Sequence, residues 1–366
     1  MYWVFSLLSS FLFWPVVLIA ILYFVRRRTK NPSQNKDQYL QLALSREDAV
    51  SQWFFLLSVL FFGVTLLAFN RDFGDPYSWQ TILLVTCIVG FVIAYYFKAV
   101  SVLIFSLLSS IAWWIAQAVL WGKEIKTASI LLGAILIALL FYTLARVHEN
   151  TLKSKRFSIV YLLLGMMFIT GVLFIFSTKP GLSVLENMIK GDTFFSSMEM
   201  ALSLFLFLIA LLGTTFYLAN KKALHPGEVI AVLLLTSLFS ITVFLPEQSM
   251  FVKKGIDSAY YSTNQLSSNG VLWAIIFNVI LFFELLGIIF LGYIRKEEWF
   301  VNIGTFFLFL LIIVKYFDWF FTFLDKSIFF IGAGILLFAV GWFMEKGRRY
   351  VISEMHSEQK QVTNQP

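Results

Sequence analysis

The chain has 366 residues, of which 59% are apolar and 13% charged, with 42 phenylalanines and a mean hydropathy of +0.82. A water-soluble protein carries about 25% charged residues, so this composition excludes an ordinary soluble domain. The net charge of +7 is spread between apolar runs and forms no separate basic domain, which excludes a nucleic-acid partner. One cysteine, Cys87, excludes an intrachain disulfide, and its place within an apolar run reads as a small buried residue.

Apolar runs of about 20 residues recur along the whole length, as needed for a helix to cross hydrocarbon about 30 Å thick. The runs are continuously apolar where barrel strands would alternate, so they are read as helices. Spans are expected at about 2–25, 49–70, 78–97, 99–121, 128–147, 157–176, 198–219, 229–245, 271–294, 299–318 and 327–345. The expectation is an all-α integral membrane protein, a polytopic helical bundle of about 11 transmembrane helices. Residues 1–25 form an N-terminal span, 26–48 a cytoplasmic linker, 49–345 a ten-helix membrane domain, and 346–366 a cytoplasmic, disordered tail.

The first run lacks a basic n-region and is too long for a secretory h-region, so it is expected to stay as a span, followed by Arg26, Arg27 and Arg28. In the linker, Ser45 and Asp48 have the spacing of a capping box. FSLLSS occurs at 5–10 and again at 105–110, an echo too short to establish a repeat. With the arginines held inside, the N-terminus lies outside and the C-terminus is cytoplasmic. Nineteen of the 28 Lys and Arg then fall on the inner side, whereas the acids divide ten and ten with Glu284 left over. That is the signature of orientation by Lys and Arg rather than by net charge.

Two outer loops are long. One contains the amphipathic LSVLENMI, read as an interfacial helix, and the other covers 246–270. His148 with Glu149 and His225 with Glu228 read as solvated loop residues and not as a metal site. No Walker loop, dinucleotide fingerprint or nucleophile elbow is present, so neither a catalytic residue nor a cofactor or metal is assigned.

Glu284 is the single acid in the middle of an expected span. A charge there costs about 2.5–3.5 kcal/mol on insertion scales, so it must pair, face water or stay protonated. It reads equally as a proton- or cation-binding carboxylate in a transport path and as a neutral hydrogen-bonding group between helices. Counting 1.5 Å per residue from the loop shared by the two helices, Lys315 lies at the depth of Asn278 and well beyond Glu284. The three residues form a candidate intramembrane polar site in which Lys315 either meets Asn278 or snorkels to the headgroups. Hydroxyls at Thr214, Thr215, Thr236, Ser237, Ser240 and Thr242, and the amide of Gln117, either line a hydrated path or bond to helix backbone. Ala134 and Ala138 mark helix contacts.

In KYFDWFFTFLDKSIFF, residues 315–330, the residues Lys315, Asp318, Thr322, Asp325 and Lys326 share one arc of a helix at the outer surface. Asp318, Thr322, Asp325 and Lys326 form a candidate recognition stripe for a cation, a headgroup or a partner, or else an aromatic belt with a helix cap. YFD, LDKS, FF, GAG, GW, then Glu345, Arg348 and Arg349, resemble the C-terminal end of bacterial multi-span membrane proteins of unknown function. The resemblance implies a bacterial inner-membrane protein and supplies no activity. Two functions are therefore carried forward, ahead of a third, a lipid-modifying enzyme with an acid or histidine beside an external basic residue. One is transport or permeation of a small solute or ion through Glu284. The other is a non-catalytic envelope scaffold whose outer loops bind lipid or a membrane-protein partner.

Overall fold

A computed structural model describes residues 49–121, 127–149, 155–190, 197–246, 249–251, 266–295, 298–320 and 326–363. Among these residues there are eleven helices. They are α1 (Ala49–Asp72), α2 (Trp79–Phe97), α3 (Val100–Trp121), α4 (Thr127–Glu149), α5 (Lys155–Phe176) and α6 (Lys179–Ile189), followed by α7 (Met198–Asn220), α8 (Pro226–Phe244), α9 (Ser268–Arg295), α10 (Glu298–Phe320) and α11 (Lys326–Thr363). The described residues contain no strand, only an isolated antiparallel bridge between Phe251 and Leu266. Ten of the helices, all but α6, are long and apolar enough to cross a membrane, the pattern of a multi-pass membrane protein. They coincide with the second to eleventh expected spans. The expected span 2–25, the linker 26–48 with its Ser45/Asp48 box, and the first FSLLSS copy lie outside the described residues.

The described residues divide into two compact units, one holding those of 49–77 with 85–106 and the other those of 78–84 with 107–363. In the first unit α1 runs into a tight turn in which Gly74 and Asp75 take φ of 80° and 55°. Asn70 holds this turn, its amide donating to the Tyr77 carbonyl at 2.9 Å while its Oδ1 accepts from the Tyr77 N–H at 3.0 Å. Lys98, at φ 56°, reverses the chain between α2 and α3, and the Ala99 N–H closes the end of α2 on the Ala94 carbonyl at 3.0 Å. Ser101 ties α3 to α1 through both its N–H and its hydroxyl, which donate to Gln52 at 3.1 and 2.9 Å. Cys87 is buried with its thiol donating to the Ser106 carbonyl, a structural thiol in keeping with its sequence setting.

The second unit is built around α4. Its sequence, TASILLGAILIALLFYTLARVHE, is apolar all round and rich in small residues, which suits a helix enclosed by neighbours. Helices α5, α6, α7 and α8 all pack on it. Ala134 and Ala138 are both buried in these contacts, and Ala138 faces Gly165 of α5. On another side Gly133 leaves room for the Trp114 ring, whose Nε1–H donates to the Ile130 carbonyl at 2.9 Å. Helix α9 packs on α5 and α10, and α10 packs on α11.

The segment containing LSVLENMI forms α6. Thr178 is its N-cap, the hydroxyl accepting from the Gly181 N–H at 3.2 Å, with Pro180 in the first turn. Only glycine fits at position 181, because a Cβ there would collide with the Ile175 carbonyl. Leu182, Leu185 and Ile189 bury the apolar face, and the Glu186 carboxylate accepts from the Met250 N–H at 3.0 Å. Of the expected loop 246–270, only the ends are described. They are pinned by the Ser267 N–H and hydroxyl, donating to the carbonyls of Met250 and Ser249.

Helix α11 differs from expectation, continuing through Thr363 where composition predicts a disordered tail over 346–366. Between Arg348 and Thr363 there is neither Gly nor Pro to stop it. Glu345 also pairs with Arg348 and Arg349 at the i, i+3 and i, i+4 spacings that support a helix.

Candidate functional site

The candidate polar residues of the spans are brought together by antiparallel packing of α5 and α9. Thr170 of α5 opposes Glu284 of α9, and Ser177, seven residues further on, opposes Asn278, six residues back. The contacts therefore follow one line about 10 Å long between two helices running in opposite directions. Glu284 lies roughly 16 Å from the Arg295 end of α9, well inside the helix. Its Oε1 accepts from the Thr170 hydroxyl at 2.8 Å. Its Oε2 is buried and, among the described residues, meets no hydrogen-bond partner. A carboxylate with one oxygen satisfied and the other shut away from solvent can hold a proton or face a small cation.

At the other end of this line Asn278 donates to the Ser177 carbonyl at 3.1 Å and to the Ala274 carbonyl of its own helix at 2.6 Å. The Lys315 ammonium, from α10, donates to the same Ser177 carbonyl. Asn278 and Lys315 thus stand at one depth and meet through a shared acceptor. Ser177 follows the last residue of α5, where carbonyls lack intrahelical partners and the helix dipole presents negative charge. The ammonium serves as an interhelical C-cap, which outweighs the snorkelling expected for an isolated lysine. Beside it, Phe277 is fully buried and its ring lies within 5.3–6.4 Å of the rings of Phe176, Trp273 and Phe239.

Of the candidate outer stripe, Thr322 and Asp325 lie outside the described residues. Asp318 falls in the last turn of α10, and Lys326 is the first residue of α11.

The hydroxyls turn mainly to their own helices. Thr215, Thr236 and Thr242 donate to the carbonyls of Leu211, Val232 and Phe239. Thr214 does the same toward Ala210 and Leu211 and meets Thr143 of α4 at 3.1 Å. Ser237 is exposed, while Ser240 and Gln117 are half-buried.

Comparison with known protein families, characterised proteins and solved structures returns no match. The chemistry of the chain must therefore be read from its own contacts.

Among the described residues, the most heavily bonded polar cluster is one that sequence reasoning missed. Arg146, near the end of α4, has a side chain with 0% exposure and spends its guanidinium in three directions. Nε donates to Glu228 Oε2 at 3.0 Å, Nη1 to both oxygens of Glu149 at 3.1 and 3.3 Å, and Nη2 to the Tyr142 hydroxyl at 3.0 Å. That hydroxyl donates in turn to Glu228 Oε2 at 2.8 Å. Glu149 and Glu228 are thus partners of a buried arginine, not the solvated loop residues that their neighbouring histidines suggested. His148 stacks on Tyr161 with ring centroids 5.3 Å apart. Helix α8 begins at Pro226, three residues before its expected start, and this places Glu228 in the first turn. An acid is favourable there, and the turn aims it at α4. The Tyr142–Arg146–Glu149 spacing was a visible one-face pattern. The partner 82 residues away carried no local signal.

Proposed function

We propose that the chain is an eleven-span protein of the bacterial inner membrane, N-terminus outside and C-terminus in the cytoplasm, that moves a proton, a cation or a small solute coupled to one. Glu284 is the carboxylate that takes up the charge. What carries this reading is Oε2 of Glu284, a buried and unpartnered oxygen in the middle of an apolar helix beside the Thr170 hydroxyl. Exchange of a proton or cation at this oxygen offsets the cost of holding the carboxylate in hydrocarbon. The excess of Lys and Arg on one side supports the orientation, and the YFD to RR segment supports the bacterial assignment.

The test is flux into sealed vesicles carrying the purified full chain, read with a trapped pH-sensitive dye under imposed proton, sodium and potassium gradients. Wild type conducts, and Glu284→Gln falls to the level of protein-free vesicles while Glu284→Asp keeps part of the flux. Equal flux in wild type and Glu284→Gln removes Glu284 from the mechanism.

A second reading, an envelope scaffold, is favoured by a different observation. Thr215, Thr236 and Thr242 bond to their own helices, and the outer loop's ends are held by Ser267 and by Glu186 of α6 as a built surface. No flux from wild type, together with crosslinking from residues 246–270 to lipid or to a membrane protein, selects the scaffold.

A further inference from the structure

The Thr170–Glu284 pair is one layer of a seam between α5 and α9. Met166, Thr170, Leu173 and then Ser177 recur at steps of three and four residues, as do Phe277, Leu281, Glu284 and Ile288 on α9. The contacts of Thr170 with Glu284, Phe176 with Phe277 and Ser177 with Asn278 fix the antiparallel register. That register sets Leu173 level with Leu281 on one side of the polar pair and Met166 level with Ile288 on the other. All four are buried, so the layers above and below supply only hydrocarbon and a thioether. The neighbouring helices are apolar at the same depth. Gly304 of α10 lies against Ile288 and Ile289, which puts Leu308 and Phe309 level with Glu284, and Phe309 lies in turn against Gly341 of α11. Gly165 of α5 lies against Ala138 and Phe141 of α4, which puts Ile135 level with Thr170. Thr305, a turn away on α10, lines the α10–α11 side together with Asn302.

Titratable and charged groups stand off from this layer on every packed element. Lys315 of α10 is at the level of Asn278, about 9 Å along α9, and donates to the Ser177 carbonyl; Tyr316 and Asp318 lie beyond it. Glu345 of α11, four residues past Gly341, pairs with Arg348 and Arg349. Tyr142 and Arg146 of α4 are engaged with Glu228 of α8. Lys179 of α6 follows Ser177 in the chain, and Glu186 and Lys190 pair with each other, Glu186 also accepting from Met250. Tyr161 of α5 and Tyr293 of α9 are each roughly 14 Å along their own helices from the layer. Among the described residues, the Glu284 layer therefore contains no counter-charge.

Such a layer serves a metal cation badly. Calcium and magnesium take about six to eight oxygen ligands, and sodium or potassium must exchange a hydration shell for a comparable ring of oxygens. The layer offers three at most, the two of Glu284 and the Thr170 hydroxyl, which is turned to donate. A proton needs one oxygen. Because Oε1 accepts from Thr170 at 2.8 Å, Oε2 is the atom that takes it. We propose that the species exchanged at Glu284 is a proton, carried on Oε2 with Oε1 as the carbonyl held by Thr170, and that sodium and potassium do not compete for the site. The proposal rests on the reading of Glu284 as the group that takes up charge and narrows it to one ion. In the step itself an Oε2 lone pair forms the O–H bond and the carboxylate becomes neutral, with no co-reactant.

Infrared difference spectroscopy on the full chain in lipid vesicles, wild type minus Glu284→Gln, tests this without reading flux. Wild type is expected to show the C=O stretch of a protonated carboxyl, shifted down in heavy water, fading reversibly as the pH is raised, and unmoved by saturating sodium or potassium chloride. Thr170→Val removes the donor to Oε1 and is expected to shift the band to higher frequency without abolishing it, because a carbonyl freed of its donor has a stiffer bond. The proposal and the transport reading fail separately. A titrating band of this kind in vesicles that show no flux sustains the protonated site and refutes transport. No Glu284-dependent band even in mildly acidic buffer, a band erased by sodium or potassium, or a band that Thr170→Val leaves in place each overturns the proposal, even where the vesicles conduct.

Discussion

Replacing Arg146 by methionine is expected to destabilise the protein by about 3–5 kcal/mol, the largest loss for any single polar side chain described above. The reason lies less in what the ion pair contributes than in what its removal leaves behind. Glu228 is 9% exposed and accepts from the Arg146 guanidinium and from the neutral Tyr142 hydroxyl. Without the guanidinium, a carboxylate remains in a protein interior that cannot solvate it. The paired variant Arg146→Met/Glu228→Met removes both charges and is expected to regain most of the loss, because a buried ion pair and an apolar pair of similar volume are close in stability. Arg146→Lys should fall between, since an ammonium cannot reach Glu228, Glu149 and Tyr142 with a fixed planar fork. Unfolding of the purified chain in mixed micelles measures each difference. A double variant no more stable than Arg146→Met would show that the cluster acts by packing and not by charge.

The same cluster shows where sequence reading stops. The positions of ten helices were legible because the signal, a run long enough to cross hydrocarbon, is local and strong. Helix ends were less so. Pro226 lies before the expected span start at 229, yet its fixed φ suits the first helical position, and α8 starts there. The polar tail 346–366 looked unstructured by composition, but Glu345, Arg348 and Arg349 continue the helix by pairing along one face. Glu284, Asn278 and Lys315 could be singled out because polar groups are rare in these spans, and their relative depths followed from the rise of a helix. Their acceptors could not be found that way. Thr170 lies 114 residues from Glu284, and the Ser177 carbonyl is a backbone atom with no identity in the sequence. Arg146 was hidden for the opposite reason. Basic residues at span ends ordinarily mark the membrane boundary, so one more arginine there attracted no attention.

Gly165→Leu is the second substitution expected to have a large effect, because it acts on a close approach of α4 and α5. A Cβ at residue 165 would lie 2.7 Å from the Ala138 carbonyl oxygen and 3.1 Å from the Tyr142 nitrogen. Both are backbone atoms, so neither can swing aside as a side chain end would. Within a bilayer, lipid tails are as apolar as the helices, and close backbone approach between small residues is a main source of helix association. Forcing the two helices apart is expected to cost about 3 kcal/mol, with Gly165→Ala costing less. Gly171→Leu, six residues along α5 with nothing within 4 Å of its would-be Cβ, supplies the control and should be near neutral. The contact at Tyr142 adds a sharper expectation. Displacing α5 at that turn disturbs the residue that bridges Arg146 and Glu228, so Gly165→Leu and Arg146→Met should be non-additive by about 0.5 kcal/mol or more in a double-mutant cycle. Strict additivity of the two losses would mean that the helix contact and the ion cluster are energetically independent, and that the α4–α5 spacing does not set the geometry of the buried arginine.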